Sequence, residues 1–188
     1  MVMKMVTSKR IVAYLGAGNP PDDGYLQMIE RAGRSTAKAG LHLVYGGTTE
    51  GSMRILADSV LDSGGSVTGV FCRMFSRDLL HTGLTAIVEE DTISNRKHAE
   101  MEMADAYIVL PGGVGTMDEL FEVLALGVVD EKECLKPIGL LNYAGYFDDI
   151  LNFFKRSINV GYAGQSVLDR ITIASSPDEL IGKLVKRM

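Results

Sequence analysis

Short β-branched runs and segments of helical period take turns along this chain from residue 10 to residue 174, which leaves few architectures open. The strand-like runs are residues 10–15, 41–45, 67–71, 85–89, 106–110, 137–141 and 171–174. Between them, Leu26, Ile29 and Ala32 repeat on one helical face and stop at Gly40, and Met53, Leu56, Ala57, Val60 and Leu61 do so before Gly64-Gly65. Further helices are expected over 94–104, 116–128 and 146–159. A last one is expected at Ser176-Pro177-Asp178-Glu179, which reads as a capping box with proline in the first helical position. Strands separated by helices predict an α/β fold: a Rossmann-like open parallel sheet with helices on both faces. The 188 residues, 46% hydrophobic, suffice for one sizeable core, and no repeat, low-complexity tract or linker divides them, so residues 1–188 are read as a single domain.

Three glycine clusters each follow a predicted strand: Gly16-Ala17-Gly18, Gly46-Gly47-Thr48 and Pro111-Gly112-Gly113-Val114-Gly115-Thr116. In an open parallel sheet such turns lie beyond the carboxyl ends of the strands, where ligands bind. Glycine lets the backbone come close to a ligand, and free N–H groups at a following helix N-terminus favour a phosphate. One such cluster is ordinary turn geometry; three in one small sheet point to an anion cradle. The first has proline two residues after Gly18 in place of a third glycine, and the second strand ends in Tyr45-Gly46 with no acid for a ribose, which disfavours a dinucleotide. No GxxxxGK[ST] segment exists to hold a triphosphate and its magnesium, so a monophosphate fits better.

Arg96 and Glu100 fall at i,i+4 on the helix expected over 94–104, with Lys97 beside them. Taken alone they fit a solvated charged face. Asp118 and Glu119 are read in the first turn after Gly115-Thr116, where an acid complements the helix dipole; alternatively, Glu119 faces the sugar that a bound phosphate would anchor. His42, His81 and His98 show no metal spacing and no nucleophile context, so they are read as structural or surface residues, and neither a metal nor a cofactor is expected. A net charge of −5 argues against a nucleic-acid polymer or an anionic membrane as partner. Cys72 and Cys134 fit no zinc or CxxC pattern and read as thiols in a reducing compartment. The opening Met1-Val2-Met3-Lys4-Met5 is too short for a secretory core, and no apolar run spans a bilayer, so a cytoplasmic protein is expected.

At Arg96-Lys97 and again from Asp105 through Pro111-Gly112-Gly113-Val114-Gly115-Thr116-Met117-Asp118-Glu119, the chain resembles the Lonely Guy family, whose signature is an Arg-Lys pair followed by PGGxGTxxE. The likeness runs from Tyr45-Gly46-Gly47 and Met53 through His81, Leu84-Thr85 and Asp91-Thr92 to Pro137, Gly139-Leu140-Leu141-Asn142, Gly145-Tyr146 and Gly161-Tyr162, nearly the whole chain. Members of that family are cytokinin riboside 5′-monophosphate phosphoribohydrolases, often labelled lysine decarboxylases. The resemblance implies a nucleoside 5′-monophosphate substrate and Arg96 and Glu119 as catalytic residues. It also implies that Gly46, Gly47, Gly112, Gly113, Gly115 and Thr116 hold the phosphate, with Lys97 assisting, and that the protein is a homodimer. The apolar stripe Leu120, Val123, Leu124 could serve either a partner or the core. A non-catalytic nucleotide or molybdopterin-cofactor carrier would use the same cradle. Ser94 stands where many members have histidine, and Ala86 where glutamate is common, the latter a position expected to bear on base or sugar contacts. A decarboxylase would need a Schiff-base lysine, for which Lys97 is a remote candidate.

Overall fold

A computed structural model describes residues 8–188, so the opening methionine-rich segment read above lies outside the described residues. Seven strands, β1 (Arg10–Tyr14), β2 (His42–Tyr45), β3 (Ser66–Cys72), β4 (Ala86–Glu90), β5 (Ala106–Val109), β6 (Ile138–Leu141) and β7 (Ile171–Ala174), form one sheet in the order β4-β3-β2-β1-β5-β6-β7. Every neighbouring pair is parallel, with Ile11 opposite Leu43 on one side and Ala106 on the other. The expected α/β architecture is what the chain adopts. The order of the strands reverses at β1, so the crevice between the β1 and β5 turns is the topological switch point.

The helices are α1 (Asp23–Lys38), α2 (Gly51–Asp62), α3 (Ile93–Met103), α4 (Val114–Val129), α5 (Glu131–Leu135), α6 (Asp148–Asn159), α7 (Ser166–Asp169) and α8 (Pro177–Val185). Side chains alternate along each strand, so β1 sends Ile11 and Ala13 to one face and Val12 and Tyr14 to the other. Met28, Ile29 and Ala32 of α1, Leu56 and Val60 of α2 and Leu180, Ile181 and Leu184 of α8 close the first face. Met101 of α3, Leu120, Val123 and Leu124 of α4 and Leu151 and Phe154 of α6 close the second. The stripe Leu120, Val123, Leu124 therefore belongs to this chain's own core and is not free for a partner.

Helix α8 lacks its expected cap, and α4 starts earlier than the sequence reading placed it. Helix α8 begins at Pro177 as expected, but the Ser176 side chain makes no capping bond; Asp178 instead accepts from Arg31 and Ser35 of α1. Glu179, the acid that would close the box, pairs with Lys183 at 2.7 Å along its own helix. Helix α4 begins two residues before the expected Thr116, because Gly113 serves as N-cap and Met117 N–H already donates to Gly113 O at 3.1 Å. Glu119 consequently lies in the second turn, inside the helix, where the field of the N-terminus has largely faded.

Candidate active site

Helix α3 is started by Thr92, whose hydroxyl accepts from Asn95 N–H at 3.1 Å, and this sets Arg96 and Lys97 one turn into the helix with their side chains toward α4. Arg96 Nη2 donates to Glu119 Oε1 at 2.7 Å, and Lys97 Nζ reaches Asp118 at 2.8 Å and Glu122 at 2.7 Å. The solvated charged face does not materialise: the side chains of Arg96, Glu119 and Glu100 are 11%, 7% and 1% exposed. Burial pushes the Glu119 carboxyl up to about 7 against the opposing pull of Arg96, with Asp118 adding to the rise. Near neutrality this acid is thus poised to gain or lose a proton. Burial pulls the Lys97 ammonium down, but its hydrogen bond to Asp118 and its close ion pair with Glu122 outweigh that and hold it protonated above its ordinary value.

The three glycine turns gather at one edge of the sheet but are not equivalent. Only Pro111–Thr116 leads straight into a helix whose cap, Gly113, has no side chain to bond the N–H groups of Val114, Gly115 and Thr116. The turn after β1 does not: Asp22 caps α1 by accepting from Tyr25 N–H at 2.9 Å, and Gly18 O takes both Ser52 N–H and Ser52 Oγ at the start of α2. It packs closely against the Pro111–Thr116 turn instead: a Cβ on Gly112 would stand 2.5 Å from Gly16 N and would overlap the Thr116 hydroxyl. Thr116 Oγ1 is buried and has no hydrogen-bond partner. Gly46 admits the guanidinium, because a Cβ there would lie 2.9 Å from Arg96 Nη1, and Gly47 adopts φ +71°, a backbone that favours glycine.

Two clefts flank this cluster. One of about 230 Å³ runs over Gly16, Gly112 and Gly113 between Tyr25 and Tyr146; the other, of about 150 Å³, lies between Gly46 and Arg96 and is walled by Met53, Phe71, Phe75 and Leu79. A larger hollow of about 660 Å³ opens toward the amino ends of the strands near His98 and Lys132 and shares no residue with the glycine turns. Sequence reasoning missed Tyr146, whose hydroxyl donates to Gly112 O at 2.8 Å and fixes the loop, and Glu122, whose carboxylate completes the Lys97 pairing. It also left Glu100 as a surface acid. Ala86, expected to bear on substrate contacts, opens β4 opposite Thr68, at the end of the sheet away from the glycine turns; Ser94 is exposed in the first turn of α3. His81 donates from Nε2 to Asp58 at 2.8 Å while Nδ1 accepts from Gly83, His42 bonds Ser66 and Thr68, and His98 lies on the surface beside Glu102. Among the described residues no three His, Cys, Asp or Glu side chains gather as a metal site.

Sheet order and switch-point cleft together define a Rossmann-like α/β protein, with the candidate site on the glycine turns. The chain belongs to the family described as possible lysine decarboxylase, whose model matches residues 53–184, and this is the Lonely Guy group that its motifs suggest. It is 34% identical over 180 residues to a cytokinin riboside 5′-monophosphate phosphoribohydrolase of Rhodococcoides fascians, covering 95% of this chain and 90% of that protein. It is 32% identical to an enzyme of the same name from Arabidopsis thaliana, covering 94% of this chain and 81% of that one. Among solved structures it is similar to the molybdenum cofactor carrier protein of Chlamydomonas reinhardtii, with a TM-score of 0.73, 19% identity and coverage of 96% and 98%. The molybdenum cofactor binding protein of Rippkaea orientalis gives a TM-score of 0.71 at 22% identity, covering 96% and 97%. These two likenesses concern the fold alone.

Proposed function

We propose that this chain hydrolyses the N-glycosidic bond of a nucleoside 5′-monophosphate carrying an adenine-type base, a cytokinin riboside 5′-monophosphate or an AMP-like nucleotide. Water adds at C1′, the C–N bond breaks, and free base and ribose 5-phosphate leave. The observation that carries the reading is the buried Arg96–Glu119 pair beside an uncapped helix N-terminus, in a chain whose relatives bear that enzymatic name.

In this reading the phosphate rests on the N–H groups of Val114, Gly115 and Thr116 and on the unpaired Thr116 hydroxyl, with Gly112 and Gly113 giving room and Lys97 adding positive charge from the side. The Gly46-Gly47 turn completes the cradle, and Gly46 brings its backbone beside Arg96. Binding energy at the phosphate, remote from the reacting bond, positions the ribose. Cleavage builds oxocarbenium character at the sugar, and the Glu119 carboxylate stabilises that charge or takes a proton from the attacking water. Arg96 orients Glu119 through its 2.7 Å bond. A Schiff-base role does not suit Lys97: a free amine is required, and the ammonium here is held protonated between two carboxylates. No step runs through pyridoxal phosphate.

The working unit in this proposal is a cytoplasmic homodimer. In place of the stripe that the core absorbs, α4 turns Phe121, Val128 and Val129 outward, and Phe153 of α6 packs 6.0 Å from Phe121, extending one apolar face suited to a second copy. Neither Cys72 nor Cys134 is paired, as a reducing compartment requires. Light scattering at micromolar concentration is expected to give twice the chain mass; a fully active monomer would overturn the dimer.

The test of the activity is incubation of purified protein with AMP and with isopentenyladenosine monophosphate, followed by chromatography of the products. Free base is expected from at least one of them. A protein that binds these nucleotides tightly and releases no base is a carrier.

A further inference from the structure

The Arg96–Glu119 pair has a silent neighbour. Glu100, one turn along α3, is the most deeply buried acid near the site, with its side chain 1% exposed. Its Oε1 lies 3.8 Å from Arg96 Nε, beyond hydrogen-bond reach, while Arg96 Nε and Glu100 Oε2 are both buried without partners. A guanidinium satisfied at one end by Glu119 is thus left open at the end that faces Glu100.

The charges around this gap do not balance. Two cations, Arg96 and Lys97, face four carboxyls, Glu100, Glu119, Asp118 and Glu122. The groups facing Glu100 are Arg96 and Lys97 from its own helix, Glu119 and Glu122 from α4, Tyr14 from β1 and Tyr107 from β5. Both tyrosines are themselves pushed up by burial and remain neutral, so neither supplies positive charge. An ionised Glu100 here would be a buried charge with no hydrogen bond; a neutral one leaves only an unpaired O–H, which costs far less.

We propose that Glu100 is a positioning residue that stores one proton behind the active pair, keeping Arg96 committed to Glu119, and that losing this proton draws the guanidinium toward Glu100 and disorders the pair. Burial, which outweighs Arg96 and is reinforced by Glu119, lifts this carboxyl to about 8. With Glu119 near 7, the two titrate as a coupled set. Turnover then rises as the set loses its first proton and falls as it loses the second, giving a bell whose alkaline limb comes from a group that never touches substrate.

The kinetic arm of the test rests on the hydrolase reading; the spectroscopic arm does not. Carbon-13 NMR of protein labelled at its glutamate carboxyl carbons is expected to show a carboxyl titrating well above the ordinary value of about 4.3 that disappears in Glu100→Gln. In base release from a nucleoside monophosphate, Glu100→Gln is expected to lose the alkaline limb, so that a roughly tenfold fall in kcat between about pH 7.5 and pH 9.5 shrinks to about twofold, with KM altered far less. Glu100→Asp, which restores an ionisable group, should restore the limb. A Glu100 carboxyl that titrates in the ordinary range overturns the proposal, as does a Glu100→Gln pH profile superimposable on the wild type. If no base is released at any pH the hydrolase reading fails, and the NMR titration of the wild type still decides whether Glu100 holds the proton. If Glu100→Gln does not fold, Glu119→Gln is titrated in its place: one raised carboxyl should remain, and none would overturn the proposal.

Discussion

Arg96 on α3 and Glu119 on α4 meet at 2.7 Å across the carboxyl edge of the sheet, both nearly closed off from water. A surface pair of this kind contributes well under 1 kcal/mol, and a buried one offers little net stability against hydrophobic packing. Stability gives little reason for placing the pair there, whereas the proposed role of Arg96 in orienting the Glu119 carboxylate does.

Replacing Glu119 by Gln keeps shape and much of the hydrogen bonding but removes the charge and the proton acceptor. Turnover should fall by about 10²–10⁴, with nucleotide affinity retained because the phosphate rests on backbone groups. Asp118→Asn, at an exposed position bonded to Lys97, is the control and should cost less than tenfold. The check is base release measured alongside nucleotide affinity and melting temperature. A folded Glu119→Gln protein with near wild-type turnover would remove Glu119 from the mechanism.

The uncapped N-terminus of α4 predicts strict dependence on the 5′-phosphate. Charge-assisted hydrogen bonds contribute about 1.5–3 kcal/mol each, so losing three costs on the order of 5 kcal/mol, several thousandfold in kcat/KM. Comparing adenosine with AMP measures this directly. Equal specificity constants would show that the loop does not hold a phosphate.

Two adjacent glycines should respond differently to one methyl group. A Cβ on Gly112 meets Gly16 N at 2.5 Å and overlaps the Thr116 hydroxyl, while one on Gly113 meets nothing within 4 Å. Gly112→Ala should therefore lose about 1–3 kcal/mol of stability by overpacking, together with most nucleotide binding. Gly113→Ala should melt close to the wild type. Calorimetry of the pair checks the geometry of the turn, and equal melting temperatures would refute it.

Stability should fall as the pH rises through neutrality. Glu119 and Glu100 are lifted in the folded chain to about 7 and about 8, so between about pH 4.5 and those values the folded form binds more protons than the unfolded one. Their stabilising effect is complete below about 4.5 and is lost by about 8. Asp178, lowered by its bonds to Arg31 and Ser35, acts in the opposite sense but only below its ordinary range; His42, lowered by burial, also opposes. The readout is therefore the difference between wild type and Glu100→Gln in melting temperature across this window. A difference that does not change with pH would contradict the burial argument.

All seven strands were legible, within about a residue at each end, because β-branched runs bounded by glycine have few other uses in a chain of this composition. Helix α5 was not read, being five residues long and polar, although Asp130 accepting from Lys132 and Glu133 is a signal that could have revealed it. The early start of α4 was hidden by Val114 and Gly115, poor helix formers that tertiary packing overrides. Arg96, Lys97 and Glu119 were legible as a set only through the motif; their meeting depends on α3 and α4 lying side by side. The burial of Glu100 left no mark in the sequence, since an acid at i,i+4 from an arginine looks the same on a wet face and in a dry one.

The position of β1 at the middle of the sheet bears on how the protein is made. Ile11 pairs with Ala106, so β1 must wait for a strand synthesised much later before its second edge is covered. β2 and β3 can pair early, but the switch-point crevice and the Arg96–Glu119 contact require the late partner. Closing long loops before they are rewarded slows folding and leaves an open strand edge exposed meanwhile. Newly made or refolding chains should thus acquire helical signal well before they acquire nucleotide binding, and prematurely truncated chains ending before β5 would offer a bare β1 edge to one another.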